Sequence, residues 1–204
     1  MRRLAVLASG GGRSLENLAE KIGAGELDAE LALVLVNTPD AGAIARARRL
    51  QLELAIVDHR HFATPGEFSA AVFREVDARA VELVVLAGFL RLLLIPERWV
   101  GRVINIHPAL LPKFGGKGYY GDRVHAAVLA AGEDVTGCTV HYVTNEYDAG
   151  PPLLQRRVPV KPGDDVHTLA ARVFEEEKVA LPEAIALHFA RRRREAPTGP
   201  AQQA

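Results

Sequence analysis

Short, almost uniformly apolar segments alternate with amphipathic helical patterns through the first half of the chain. Apolar strands of this kind are buried on both faces, and strands separated by helices usually pair in parallel. The segments that we predict as strands are Leu4–Ala8, Leu31–Val36, Leu54–Val57 and Leu83–Ala87. The helical patterns between them cover Ser14–Ala24, Ala41–Leu50 and Glu67–Arg79. The first half therefore predicts a doubly wound parallel sheet, in which ligands bind beyond the carboxyl ends of the strands.

The second half predicts one more buried strand, Val103–Ile106, followed by a hairpin and two helices. These later elements are the helix Asp122–Ala131, the strands Val135–Val143 and Leu153–Val160, and a long helix from Val166 to about Phe189. The last two strands are close enough in sequence to pair as an antiparallel hairpin. We therefore predict an α/β fold with a doubly wound, mostly parallel sheet, an antiparallel C-terminal hairpin at its edge, and flanking helices.

The composition limits the number of domains and the kinds of binding partner that we expect. The 49% hydrophobic content is ample for a core, and we expect one domain over residues 1–192 with a disordered tail over 193–204. Twenty-five basic and twenty-five acidic residues cancel, so we expect neither a nucleic-acid nor a membrane partner. The glycines after Ser9 end the first apolar run too early for a signal peptide. A single cysteine, Cys138, and no Cys/His cluster with zinc spacing indicate no metal and a cytoplasmic location.

The strongest candidate for chemistry is the pair Asn105 and His107 at the end of the fifth predicted strand. Residues at i and i+2 on a strand project to the same face, so the two side chains can converge on one small group. Pro108 stops the strand and leaves His107 at the mouth of the sheet. Asn offers donors for an oxyanion, and His offers a proton near neutral pH. The alternative is a purely structural His-Pro turn.

A glycine loop, residues 9–14, follows the first predicted strand and precedes a helix. Glycines let the backbone approach an anion, and a helix N-terminus favours negative charge, so this loop is a candidate phosphate site. The dinucleotide pattern is not met, because Leu15 stands at the third glycine position and the second strand ends in Asn37 rather than an acid. The alternative is a tight turn with Ser14 as the helix cap.

Two other segments also allow two interpretations each. Residues 88–96 are strongly apolar but interrupted by Gly and Pro, which is typical of a loop lining an apolar pocket and equally of plain core. Asp148 precedes a glycine in the predicted hairpin loop and is either a turn former or a partner of His107. As a partner, its carboxylate would raise the pKa of His107 and keep the imidazole cationic.

Together these motifs resemble the glycinamide ribonucleotide formyltransferases, also called phosphoribosylglycinamide formyltransferases, of purine synthesis. The resemblance extends from about Leu4 to Ala190 and rests on residues 9–14, 86–91, 105–112, 137–143 and 148–150. It implies a Rossmann-like formyltransferase fold and direct attack of the substrate amine on the formyl group of 10-formyltetrahydrofolate, with no covalent enzyme intermediate. The second substrate is then 5-phosphoribosylglycinamide. The oligomeric state stays open, with a homodimer as one alternative.

The resemblance also implies roles for particular residues. The catalytic set is Asn105, His107 and Asp148. The substrate phosphate is held by Gly11, Gly12, Arg13 and Ser14, and Glu177 meets the rest of the ribonucleotide. The folate is held by Leu90, Arg91, Leu92, Leu93, Asn105, His141 and Asp148.

The chain departs from the family pattern at several positions. Arg13 stands where Asn is common, Asn145 where an acid is usual, and Phe174 at a helix position that is often polar. No arginine that some members use near the phosphate is found around residues 64–66, where Pro65 lies. An insertion, residues 117–121, lengthens the loop that follows Pro112. None of these positions belongs to the predicted catalytic set.

Other functions remain as alternatives at this stage. Methionyl-tRNA and sugar formyltransferases share the Asn, His and Asp but carry additional domains, for which 204 residues leave no room. Formyltetrahydrofolate deformylase, the hydrolytic alternative, typically has an N-terminal regulatory domain before the glycine loop. A non-catalytic mononucleotide-binding module would explain the glycine loop but not the convergence of Asn105, His107 and Asp148.

Overall fold

The computed structural model describes residues 1–195, which form a seven-stranded sheet flanked by five helices. The strands are β1 (Arg2–Ala8), β2 (Ala29–Val36), β3 (Leu54–Ile56), β4 (Leu83–Ala87), β5 (Val103–His107), β6 (Val135–Tyr142) and β7 (Pro152–Pro159). The helices are α1 (Arg13–Gly23), α2 (Ala43–Arg49), α3 (Pro65–Asp77), α4 (Asp122–Ala130) and α5 (Val166–Glu195).

The strand order is β3-β2-β1-β4-β5-β6-β7, parallel from β3 to β5 and antiparallel from β5 to β7. This confirms the predicted doubly wound sheet with an antiparallel hairpin edge. Residues 4–8 of β1 and all of β4 are buried, as expected for apolar strands covered by helices on both faces. The order reverses between β1 and β4, and the loops that follow these two strands therefore diverge around an opening where such sheets bind ligands.

Because β6 runs antiparallel to β5, the loop that follows β6 begins beside the start of β5. Asn105 pairs with His141, and the Val143 amide donates to the Val103 carbonyl at the amino end of β5. The loop between β6 and β7 therefore starts beside the beginning of β5 and must turn back along that strand to reach its carboxyl end. This return brings the loop over the face that carries Asn105 and His107.

Local signals set the helix ends. Thr64 and Glu67 form a reciprocal capping box with Pro65 at the first helical position of α3, so this helix starts two residues earlier than predicted. Helix α5 continues to Glu195, beyond the predicted end near Phe189. Residues 193–195, assigned from the sequence to a disordered tail, are therefore helical, and residues 196–204 of that predicted tail lie outside the described residues. Among residues 1–195, no helix has the length and apolar composition needed to span a bilayer.

Candidate active site

Strands β5 and β6 bring three predicted site residues together, namely Asn105, His107 and His141. Asn105 and His107 project from the same face of β5, as the alternation of a strand requires. His141 lies opposite Asn105 on β6, and the Asn105 amide nitrogen is 3.1 Å from His141 Nε2. His107 is the last residue of β5, and its ring is almost fully buried. The strand pairing thus builds a compact polar cluster within an apolar sheet.

Asp148 joins this cluster from the loop between β6 and β7. One carboxylate oxygen is 3.6 Å from His107 Nδ1 and accepts the Gly116 amide at 2.9 Å. The other accepts from Asn105 Nδ2 at 3.4 Å and lies 3.5 Å from His141 Nε2. Asp148 adopts a φ of 53°, a left-handed conformation that non-glycine residues rarely take. The carboxylate therefore does more than form a turn: it is the one group that contacts both histidines and the asparagine.

The protonation of this cluster differs from the sequence expectation. Burial lowers the pKa of His107, and this effect outweighs the Asp148 charge and the Phe114 carbonyl, which both raise it. The prediction that Asp148 keeps His107 cationic is therefore wrong, because a ring with 4% exposure loses much of its hydration as a cation. His107 Nε2 lies 2.7 Å from the Phe114 carbonyl oxygen, so this nitrogen carries the proton of the neutral ring. The Nδ1 lone pair then faces Asp148.

Asp148 itself stays ionised. Burial raises its pKa, but the His141 hydrogen bond and the Gly116 amide lower it, and the pKa ends below the usual value for aspartate. A charged carboxylate beside a neutral imidazole is a pair that stabilises added positive charge on the ring. The cluster can therefore take up a proton during a reaction and release it afterwards.

An open cleft adjoins this cluster. Asn105 and Asp148 form its polar end, and Phe89 and Leu93 form part of its apolar wall. Its other lining residues are Leu86, Arg91, Leu92, His141, Val143, Thr144, Glu146 and Tyr147. Apolar walls with a few convergent polar groups are the usual composition of a small-molecule site.

Two features of the cleft concern positions singled out from the sequence. Leu90 does not line it: the side chain is exposed, and its amide donates to Ser9 Oγ at 2.8 Å. Asn145, where an acid is usual in the resembling family, accepts the Ile95 amide at 2.7 Å through its side-chain oxygen. Asn145 therefore ties the segment after β4 to the loop that carries Asp148.

The glycine loop begins directly after β1 and leads into α1. Gly12 has a φ of 79°, and a Cβ there would lie 2.8 Å from the Ala43 methyl group. Only glycine fits this close approach of α2. No side chain caps α1, and Ser14 lies inside the helix, so the interpretation of Ser14 as the cap is wrong. The first turn of α1 therefore presents backbone N–H groups without a side-chain partner.

Arg13 and Glu177 belong to α1 and α5, two helices that pack on each other. The two helices are tied by a 3.0 Å hydrogen bond from Asn17 Nδ2 to the Lys178 carbonyl. The Arg13 guanidinium stacks on the ring of Phe174, one helical turn before Glu177. Burial raises the pKa of Glu177 to about 7, although the Arg13 charge opposes this shift. Among the described contacts, none joins Glu177 to the Asn105, His107 and Asp148 cluster.

The structure also identifies residues that the sequence analysis missed. Arg46 binds the Gly11 carbonyl at 2.5 Å and Glu16 at 2.9 Å, which fixes the orientation of the glycine loop. His125 on α4 is buried, and its Nδ1 has no partner among the described residues. A lone Arg or His in a helical pattern carries no signal for such roles, because the contacts depend on tertiary packing.

The insertion over residues 117–121 borders the cluster. It directly follows Gly116, whose amide binds Asp148, and it ends at the start of α4. Tyr119 packs edge-on against Phe114, while Tyr119 and Tyr120 are each 40% exposed. The predicted insertion therefore lies at the rim of the candidate site rather than on a remote surface.

Comparisons with known proteins agree with this architecture. The sequence profile of the formyl transferase family matches residues 2–185. Phosphoribosylglycinamide formyltransferase of Haemophilus influenzae is 34% identical over 184 residues, which cover 89% of this chain and 84% of that protein. The trifunctional purine biosynthetic protein adenosine-3 of Gallus gallus is 42% identical over 187 residues, 91% of this chain. The chain spans only 18% of that longer protein.

A solved structure is similar over the same range. Glycinamide ribonucleotide transformylase 1 of Symbiobacterium toebii superimposes with a TM-score of 0.84 at 37% identity, covering 91% of this chain and 86% of that one. The chain belongs to the formyl transferase family. Within that family it is similar to the phosphoribosylglycinamide formyltransferases, which confirms the resemblance indicated by its motifs.

Proposed function

We propose that this chain transfers the formyl group of 10-formyltetrahydrofolate to the amine of 5-phosphoribosylglycinamide, a step of purine biosynthesis in the cytoplasm. The observation that carries the proposal is the position of Asp148 between His107, His141 and Asn105 at the polar end of an apolar cleft. The names of the relatives, phosphoribosylglycinamide formyltransferase and a purine biosynthetic protein, supply the substrate class.

Each substrate has a part of the site suited to it. The cleft walls at residues 91–93 and 141–148 offer apolar surface and backbone groups for the flat pterin ring of the folate. The glycine loop offers N–H groups of Gly11, Gly12, Arg13 and Ser14 for the phosphate. Glu177 contacts the sugar and amine portion in this arrangement. Leu90 is omitted from the folate contacts because it is not among the residues that line the cleft.

The reaction forms one C–N bond and breaks another at the formyl carbon. Attack by the substrate amine gives a tetrahedral centre with an oxyanion, to which the Asn105 amide donates. Neutral His107 accepts a proton from the attacking nitrogen, relayed through a water held by Asp148, and the same proton then passes to the leaving folate nitrogen. Asp148 stabilises the imidazolium that exists between these two transfers.

Cys138 takes no part in this scheme. It is buried in β6, and burial raises the pKa of its thiol to about 12. A thiol with so little thiolate at neutral pH is a poor nucleophile, which agrees with direct amine attack rather than a covalent intermediate.

The experiment that tests the proposal follows loss of 10-formyltetrahydrofolate with and without phosphoribosylglycinamide. We expect rapid loss only when the amine is present, with tetrahydrofolate and the formylated ribonucleotide formed in equal amounts. His107→Ala is the matched control and should abolish the reaction. Rapid loss without the amine would favour a deformylase, and no loss under either condition would favour a nucleotide-binding module.

A further inference from the structure

Arg13 and Phe174, two positions at which the chain departs from the resembling family, are in direct contact. The guanidinium carbon of Arg13 lies 4.1 Å from the centroid of the Phe174 ring. Arg13 is the first residue of α1 and directly follows Gly12, whereas Phe174 lies on α5. The fold therefore stacks a cation of the glycine loop on an aromatic ring from a distant part of the sequence.

The contact with Phe174 leaves the guanidinium N–H groups of Arg13 available for a ligand. A guanidinium carries five N–H donors, and the Phe174 ring offers them no oxygen or nitrogen acceptor. Among the described residues, no hydrogen bond or ion pair engages the Arg13 side chain. Arg46, the neighbouring arginine, differs because it is bound to both Gly11 and Glu16. Arg13 is thus the cation of this loop that is still able to bind an anion.

Arg13 also lies near a carboxyl group without forming an ion pair with it. Glu177 lies one helical turn after Phe174, close enough that the Arg13 charge affects its pKa. The two side chains nevertheless form no ion pair within 4.0 Å. The guanidinium lies over the Phe174 ring instead.

We propose that Phe174 is a positioning residue that holds the Arg13 guanidinium at the glycine loop, where its N–H edge binds the phosphate of the ribonucleotide. The inference rests on the proposed function and deepens it by joining the two departures into one phosphate-binding unit. The asparagine common in the family would offer only a neutral amide at this position. Stacking removes water from one face of the cation and reduces the conformational entropy lost on binding, and both effects strengthen its contact with phosphate.

Steady-state kinetics of single and double variants test the unit. Arg13→Asn should raise KM for phosphoribosylglycinamide about tenfold or more, because it removes a charge-assisted contact with the phosphate. Phe174→Leu should raise it several-fold, whereas Phe174→Tyr, which keeps the ring, should stay near the parent value. Neither kcat nor KM for the folate should change more than about twofold. The double variant with Phe174→Leu should be no worse than Arg13→Asn alone.

A binding measurement separates this inference from the proposed function. Calorimetry with ribose 5-phosphate requires no formyl transfer, and its affinity should fall in Arg13→Asn and Phe174→Leu and become less dependent on salt. Lys21→Asn, which removes a positive charge from the last turn of the same helix, is the matched control and should bind as the parent does. The inference would be overturned if Arg13→Asn bound ribose 5-phosphate as tightly as the parent does. It would also be overturned if the losses caused by Arg13→Asn and Phe174→Leu multiplied in the double variant. If the parent protein transfers no formyl group but Arg13→Asn still weakens ribose 5-phosphate binding, only the proposed function is refuted.

Discussion

Replacing Asp148 by Asn removes the charge on which the polar cluster converges while keeping nearly the same shape. The carboxylate lies 3.6 Å from His107 Nδ1, and two unit charges at that distance interact by roughly 4 kcal/mol in a partly shielded protein site. Most of this stabilisation exists only while His107 carries the transferred proton. We therefore expect kcat and kcat/KM to fall together by about a hundredfold to a thousandfold, or roughly 3–4 kcal/mol, with substrate dissociation constants nearly unchanged.

The dependence of kcat/KM on pH gives a second, independent test of Asp148→Asn. Burial already lowers the pKa of His107, and Asp148 partly opposes that shift, so losing the charge lowers the pKa further. If His107 must be neutral to accept the proton, activity rises with pH through this pKa, and the rising limb should move to lower pH in Asp148→Asn. Rate profiles of kcat/KM between pH 4 and 8 measure the shift.

Two comparisons complete this test. His107→Ala combined with Asp148→Asn should be little worse than His107→Ala alone, because residues that act as one unit are not additive. Asp134 is an exposed aspartate directly before β6, and Asp134→Asn should behave as the parent does. The role assigned to Asp148 would be refuted if Asp148→Asn kept nearly the parent kcat, or if the rising limb of its kcat/KM profile did not move. It would also be refuted if the activity losses of His107→Ala and Asp148→Asn multiplied in the double variant.

Two further predictions follow from Gly12 and His188. Gly12→Val should raise KM for the ribonucleotide and leave KM for the folate unchanged, since a Cβ would collide with Ala43 and displace the glycine loop that we propose binds the phosphate; equal effects on both substrates would contradict this. Burial lowers the pKa of His188 to about 4, so the free energy of unfolding should rise by roughly 3 kcal/mol from pH 4 to 6.5 through this residue. Urea titrations of His188→Gln should show a flatter rise, and an unchanged slope would exclude His188 as its source.

The strands were predictable because their sequences alone specify burial. Uniformly apolar runs such as Leu83–Ala87 leave no polar face, so their existence and parallel pairing follow from the pattern. The boundaries follow less closely, since β1 and β2 each begin two residues before the predicted strands. The ends of α5 were less predictable, since three arginines after residue 191 suit either a helix C-terminus or a tail. Helix α3 also begins earlier than expected, because the capping box formed by Thr64 and Glu67 places its first residue at Pro65.

The proximity of Asn105 and His107 was predictable from the sequence, whereas the electrostatics of their cluster were not. Asn105 and His107 share a face by strand alternation, but the contact of Asn105 with His141 depends on the register between β5 and β6. The sign of the His107 pKa shift depends on how completely the loops cover the ring, which no local pattern encodes. The stacking of Arg13 on Phe174 likewise arises only when α1 packs on α5.

The buried thiol makes the molecule convenient for single-site labelling. Cys138 is the chain's only cysteine, it is fully enclosed in β6, and its thiol stays protonated far above neutral pH. A maleimide dye should therefore leave the native protein unmodified without any prior removal of cysteine. One cysteine introduced at an exposed position such as Tyr119 would carry the dye alone. Its fluorescence could then report movement at the rim of the site as each substrate binds.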